Sequence, residues 1–176
     1  GWPHDTCVAQ GCPDSNYGSW GYFRTGWRSS PPTPTCSGIW RAMVRFNYPG
    51  DMSNTEQACN CRFFAYPNAK VGGGFGHLVY RRGINDTWGE TGATWNNTGG
   101  ASHESGPGTY QLIDAVNTCY QWSWSGWGPW LNDTGYVLQC DTENGAVDWS
   151  VTWWASDGST SASPYFQMDY DTTTPG

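Results

Sequence analysis

Apolar side chains recur at every second position in several stretches of this chain, which places them on one face of a pleated strand. Trp40, Ala42, Val44 and Phe46 are expected inward, with Arg41, Met43 and Arg45 outward. Trp149, Val151 and Trp153 alternate with Ser150, Thr152 and Trp154, and Phe166, Met168 and Tyr170 with Tyr165, Gln167 and Asp169. Each pattern predicts a half-buried antiparallel strand. Arg62 to Tyr66, His77 to Arg81, Tyr110 to Leu112 and Tyr136 to Cys140 are further strand candidates. Turn clusters at Tyr48-Pro49-Gly50-Asp51, Gly72-Gly73-Gly74 and Gly99-Gly100 separate them. Ile113 to Thr118 is the one helix-like stretch, a turn or two long. Many short strands between turns predict an all-β fold, an antiparallel β-sandwich of jelly-roll type. It is expected as a single domain over residues 1–171, with Thr172 to Gly176 reading as a Thr/Pro linker-like tail.

Composition narrows the classes of function. The 176 residues suit one domain, and the formal net charge of -7 is spread without any basic cluster among the 8 Lys+Arg. That excludes nucleic acid, whose phosphates need concentrated positive charge. No apolar run reaches the roughly 20 residues of a membrane helix, so no membrane insertion is expected. No charged-then-apolar leader opens the chain, which reads as a mature secreted form.

Cys7, Cys12, Cys36, Cys59, Cys61, Cys119 and Cys140 are spaced too irregularly for zinc. Disulfides are expected instead, and with them an oxidising, extracellular or cell-surface location. The count is odd, so one sulfur stays a free thiol or reaches a neighbouring molecule. Sequons at Asn85, Asn96 and Asn132, all in turn-like segments, mark a glycoprotein.

Aromatic residues make up 16% of the chain, with 13 Trp. Trp122 and Trp124 sit two apart and share a face, and Trp127 and Trp130 follow at once. Exposed, such rings form a platform for glycan stacking; buried, they fill a core or a subunit contact. Both readings stand. Trp88 and Trp95 join the glycan-binding candidates, although a Trp beside an Asn pair also serves to pin a loop to a sheet, with Glu90 orienting it.

The segment from Asp86 to Asn97, DTWGETGATWNN, carries Asp86, Trp88, Glu90, Thr94, Trp95, Asn96 and Asn97 at fixed intervals. Upstream lie Asp5-Thr6, Asn16 with Gly18, and Arg41 to Phe46; downstream lie Tyr110 to Val116, Gly135 to Leu138 and Pro164 to Tyr170. This pattern resembles that of the disaggregatase-related (DNRLRE) domain, an extracellular β-sandwich family akin to carbohydrate-binding modules. The resemblance implies an accessory module without catalysis.

The residues agree that an enzyme is not expected. His4, His77 and His103 lack metal-ligand spacing, so no histidine metal site is predicted. Asp14-Ser15-Asn16 and Asp141-Thr142-Glu143-Asn144 are candidates for a structural calcium, the only cofactor considered. No glutamate falls inward on an aromatic-flanked strand, and no nucleophile elbow, phosphate loop or dinucleotide fingerprint occurs.

Two functions follow. The first is a glycosylated structural subunit of a surface fibre or matrix, binding copies of itself head to tail by strand exchange, with Gly1 to Thr6 or Tyr170 to Thr174 as donor. The alternative is a carbohydrate-binding module that recognises polysaccharide through exposed Trp residues.

Overall fold

The computed structural model describes residues 4–29, 36–46, 58–81, 88–103, 110–124, 135–143, 145 and 147–170, with backbone alone at 58, 59, 81, 124, 168 and 170. Among these residues every regular element is a strand. They run β1 (His4–Ala9), β2 (Tyr22–Arg28), β3 (Gly38–Arg45), β4 (Ala58–Ala65), β5 (Pro67–Val71), β6 (Phe75–Arg81), β7 (Gln111–Ile113), β8 (Tyr120–Trp124), β9 (Gly135–Cys140), β10 (Trp149–Trp154) and β11 (Tyr165–Tyr170). The fold is the expected all-β antiparallel sandwich. Ile113 to Thr118, expected to turn helically, is instead the end of β7 followed by a loop that Asn117 bends with φ 56°. Six residues between two strands leave no room for a helix to bury a face.

Eight strands form one sheet, in the order β5-β10-β2-β3-β9-β6-β7 with β1 also on β3; three form the other, β11-β4-β8. The large sheet forks at β3. Trp40 pairs with Ala9 of β1 and with Gly26 of β2, which therefore lie on opposite sides of β3. Ala42 to Arg45 pair with β1 and also with β9, so β9 lies on the same side as β2. Two wings leaving one edge must stack rather than continue in a plane. Accordingly Thr25 of β2 meets His77 of β6, and Trp149 of β10 meets Phe75 of β6.

The interior between the wings and the small sheet is filled by Trp40, Trp122, Trp149 and Trp153, with Phe23, Phe63, Tyr136 and Leu138. Strand alternation put most of them there: Trp40, Ala42 and Val44 are buried as expected, as are Trp149, Val151 and Trp153. Met43 departs from expectation. It is buried on the opposite face, in a second cluster with Val8, Trp88, Ala93, Ala101 and Val137. That face is covered by the loop 88–103 rather than by solvent, so β3 is buried on both sides.

Indole N–H groups in the main core are satisfied. Trp40 donates to the Cys36 carbonyl at 3.1 Å, Trp122 to the His77 carbonyl at 2.9 Å and Trp153 to Thr25 Oγ1 at 2.8 Å. Trp153 can only donate, so the Thr25 hydroxyl turns its own hydrogen toward His77 Nε2, 2.8 Å away. His77 Nδ1 then carries the proton and donates to the Phe75 carbonyl at 3.2 Å. Burial pulls the His77 pKa down to about 4, so the ring is neutral near pH 7.

Candidate functional site

The tryptophans expected to bind glycan divide by burial. Trp122 is 0% exposed and lies against Phe63 and Trp153, with its N–H consumed by the backbone. Trp88 is 6% exposed with Arg45 over its ring at 5.7 Å. Neither can stack on a sugar in this fold. The fold explains why: Trp122 fills the interior enclosed by the stacked sheet, and Trp88 fills the second cluster under the 88–103 loop. Trp95 is half-buried beneath the Arg41 guanidinium at 5.7 Å. The side chain of Trp124 and all of Trp127 and Trp130 lie outside the described residues.

The Trp88–His103 loop is instead a clamp. Asn16 Nδ2 donates to the carbonyls of Glu90 at 2.8 Å and Ala93 at 2.7 Å, and its Oδ1 accepts the Gly18 N–H at 3.1 Å. Asn97 closes the loop on itself through the Thr94 N–H and the Gly92 carbonyl, both at 2.8 Å. Arg41 binds the Glu143 carboxylate through two nitrogens, the shorter contact 2.7 Å, and donates to the Gly100 carbonyl at 2.9 Å. Asp5, Asn16, Arg41, Glu90 and Asn97, scattered along the signature pattern, thus converge on one structural job.

The residues considered for a structural calcium make contacts of their own: Arg41 donates to Glu143, Asn96 Nδ2 donates to Asp14 at 2.7 Å, and Asn16 donates to the Glu90 and Ala93 carbonyls. Among the described residues no three His, Cys, Asp or Glu side chains gather for a metal. Asn96 is exposed, while Asn85 and Asn132 lie outside the described residues.

Of the seven cysteines, Cys12 and Cys36 form a disulfide that closes 24 residues of chain. Cys7, Cys119 and Cys140, also expected in disulfides, are thiols here. Cys7 is enclosed beside β3 and burial pushes its pKa up to about 12, so it behaves as a small apolar side chain. Cys61 is buried, and Cys59 is described in its backbone only.

Function is best sought at the sheet edges, because an unpaired edge is a template for another strand. Among the described residues five strands lie at an edge, and four of these are shielded. On β1 the Asp5 N–H is capped by Glu90 Oε1 at 3.1 Å. On β5 Pro67 offers no donor, its carbonyl is taken by the Asn117 N–H at 2.7 Å, and Lys70 adds a charge. On the large sheet's other flank β7 is only 3 residues long. Beside it β8 is stapled across the seam by Tyr120, whose hydroxyl accepts the N–H of Ala115 at 2.9 Å and donates to Asp114 at 2.6 Å.

The fifth edge, β11, has 6 residues, and no described strand pairs with its outer side. Tyr165, Gln167 and Asp169 are exposed and Phe166 faces Tyr136 and Phe46 in the core. Its pairing with β4 carries a bulge, but Asn60, at φ 48°, puts the extra residue in β4, so β11 itself stays regular.

No known family model matches the chain, and no curated protein is significantly similar to it. The resemblance described above rests on the sequence pattern alone.

Proposed function

We propose that this chain is a non-catalytic, secreted structural unit that polymerises head to tail, each copy lending a strand to the outer edge of β11 in the next. The supporting observation is the contrast among the described edges: β1 is capped by Glu90, β5 opens on Pro67, β7 is short and β8 lies beside the Tyr120 staple, whereas β11 is 6 residues long and has no described partner on its outer side, its Asp169 being turned to Arg62 and Asn60 of β4. Extended backbone arriving there gains a ladder of hydrogen bonds and widens the narrower sheet over the core. Of the two donors suggested by the sequence, Gly1 to Thr6 is disfavoured, because Asp5 and Thr6 are buried and paired with Val44 and Met43 of the same chain. Of the segment Tyr170 to Thr174, Tyr170 itself ends β11 and pairs with Ala58; the donor we favour is the part that follows it, which lies outside the described residues.

Two further features support a holding role. The Cys12–Cys36 disulfide suits an oxidising compartment, and among the described residues no helix is long and apolar enough to cross a membrane. Two acid–base groups with displaced pKa are enclosed: His77 lies in the core, and Asp5, raised to about 6 by burial, is 2% exposed with its carboxylate on the Ser156 N–H at 2.8 Å. A substrate cannot reach either.

Sedimentation velocity over a wide concentration range, with electron microscopy of the same samples, tests the proposal. Open-ended growth into filaments, abolished by Gln167→Lys and unaffected by Val71→Lys on β5, is the expected result. A strict monomer at every concentration rejects assembly, and a dimer that stops growing rejects the head-to-tail arrangement.

A further inference from the structure

The start of β1 is held from two sides. Asp5 is buried; its N–H meets Glu90 Oε1 of the 88–103 loop at 3.1 Å, and its Oδ2 accepts the N–H of Ser156, in the turn after β10, at 2.8 Å. One residue thus ties β1 to chain 85 and 151 positions away. Both partners are anchored by their own backbones. Asn16 Nδ2 donates to the Glu90 carbonyl at 2.8 Å, and the loop lies so close that a Cβ on Gly18 would strike that carbonyl. On the other side Ala155 donates to the Gly21 carbonyl at 3.2 Å and accepts the Gly158 N–H at 3.1 Å.

The charged groups around this corner do not neutralise Asp5. Glu90 brings one carboxylate beside it and Asp157, on the Ser156 turn, brings another. Cys7, on the same face of β1, is a thiol whose pKa burial pushes up to about 12, so it carries no charge. Arg24 of β2 lies beside Cys7, with its guanidinium over the Trp40 ring at 5.0 Å. Arg45, opposite His4 on β3, lies over the Trp88 ring at 5.7 Å. His4 Nδ1 is 3.6 Å from Glu90 Oε2, so a proton there answers Glu90. Burial first, then Glu90 and Asp157, outweigh the Ser156 hydrogen bond and raise Asp5 to about 6.

We infer that Asp5, Glu90 and the Ser156 turn form a proton-operated latch on the start of β1, closed while Asp5 carries a proton and loosened when it does not. With both anchors fixed, a charge on Asp5 is relieved by moving β1, which among the described residues pairs on one side only. The sign follows from linkage. Between 3.8 and about 6 the closed state keeps the proton and the opened state has lost it, so opening is hardest below pH 3.8, grows easier up to pH 6 and then levels off. The rise across that window is about a hundredfold. The latch acts within one chain and is independent of assembly.

Hydrogen exchange of the dilute wild-type chain from pH 4 to pH 7, with times scaled for the intrinsic rate and read by mass spectrometry, tests the latch. The peptide covering His4–Ala9 should open up to about a hundredfold more often at pH 7 than at pH 4, while the peptide covering Trp149–Trp154 changes far less. Asp5→Asn should hold the pH 4 protection of β1 throughout. Glu90→Gln, which keeps an acceptor for the Asp5 N–H and removes one charge, should shrink the rise several-fold. Protection of β1 that ignores pH, or that falls equally in Asp5→Asn, overturns the latch. An equal loss in Trp149–Trp154 assigns the effect to the whole fold and overturns it too.

Discussion

Strands β1 and β11 are both 6 residues long and both lie at the margin of a sheet, yet they are built to opposite ends. From Asp5 to Ala9 every residue of β1 is buried, its margin is capped by Glu90, and its side chains serve both clusters: Cys7 and Ala9 the main core, Val8 the cluster under the loop. β11 exposes Tyr165, Gln167 and Asp169, half-buries Phe166 and leaves its outer backbone without a described partner. A terminal strand is therefore not by its position a donor or an acceptor. On the proposed reading, a side chain such as Glu90 that occupies an edge N–H closes β1, and the absence of a described partner leaves β11 as the edge to which another copy would add.

The largest effect expected from breaking this contrast is in β1. Val8→Asp places an unpaired charge at a site without solvent contact, and should cost more than about 3 kcal/mol, leaving the chain largely unfolded by circular dichroism. Next comes Asp5. With a pKa raised to about 6, its folded-state advantage is complete below the ordinary carboxylate value of 3.8 and is lost as pH rises through 6. Asp5→Asn keeps an acceptor for Ser156 and should be more stable than wild type above pH 6, by at most about 3 kcal/mol, the gain vanishing near pH 4.

His77 has the opposite slope. Its depressed pKa, about 4, means that the unfolded chain takes up a proton first, so stability is lost as pH falls from 6.5 toward 4. The two groups offset one another in wild type between pH 4 and 6. Denaturant titrations of Asp5→Asn across this window should uncover the His77 slope.

Much of this was legible in the sequence, for a definable reason. Period-two alternation reports burial wherever one face meets the core, and it located Trp40, Ala42, Val44, Trp149, Val151 and Trp153 correctly. It failed for β1 and β2, whose runs HDTCVA and YFRTGWR mix polar and apolar residues because both faces are enclosed and the polar groups find distant partners. Thr25 looks like a surface residue until His77, 52 positions away, is seen beside it. The clamp was half legible: the DTWGETGATWNN segment stood out, but its work depends on Asn16, Arg41 and Glu143, contacts separated by 59 to 102 positions in the case of Arg41. The fork at β3 left no mark in the sequence, so the tryptophans needed to fill it looked like excess.

Smaller effects sharpen the comparison. Glu90→Ala removes the cap on β1 and should cost about 1 kcal/mol in thermal unfolding, because the Asp5 N–H loses its acceptor while the Asp5 carboxylate loses a repelling neighbour. Gln167→Lys, on the exposed side of β11, should change stability by no more than about 0.5 kcal/mol, even as it suppresses association. A β11 substitution that unfolds the chain would erase the distinction between the two strands.

Hydrogen exchange of the chain at low and high concentration, followed by mass spectrometry of the peptide spanning Tyr165–Tyr170, tests the central claim most directly. The account predicts slowed exchange in β11 on concentration, with β1 and β5 unchanged. Equal exchange in β11 at both concentrations, or protection appearing at β5 instead, would contradict it.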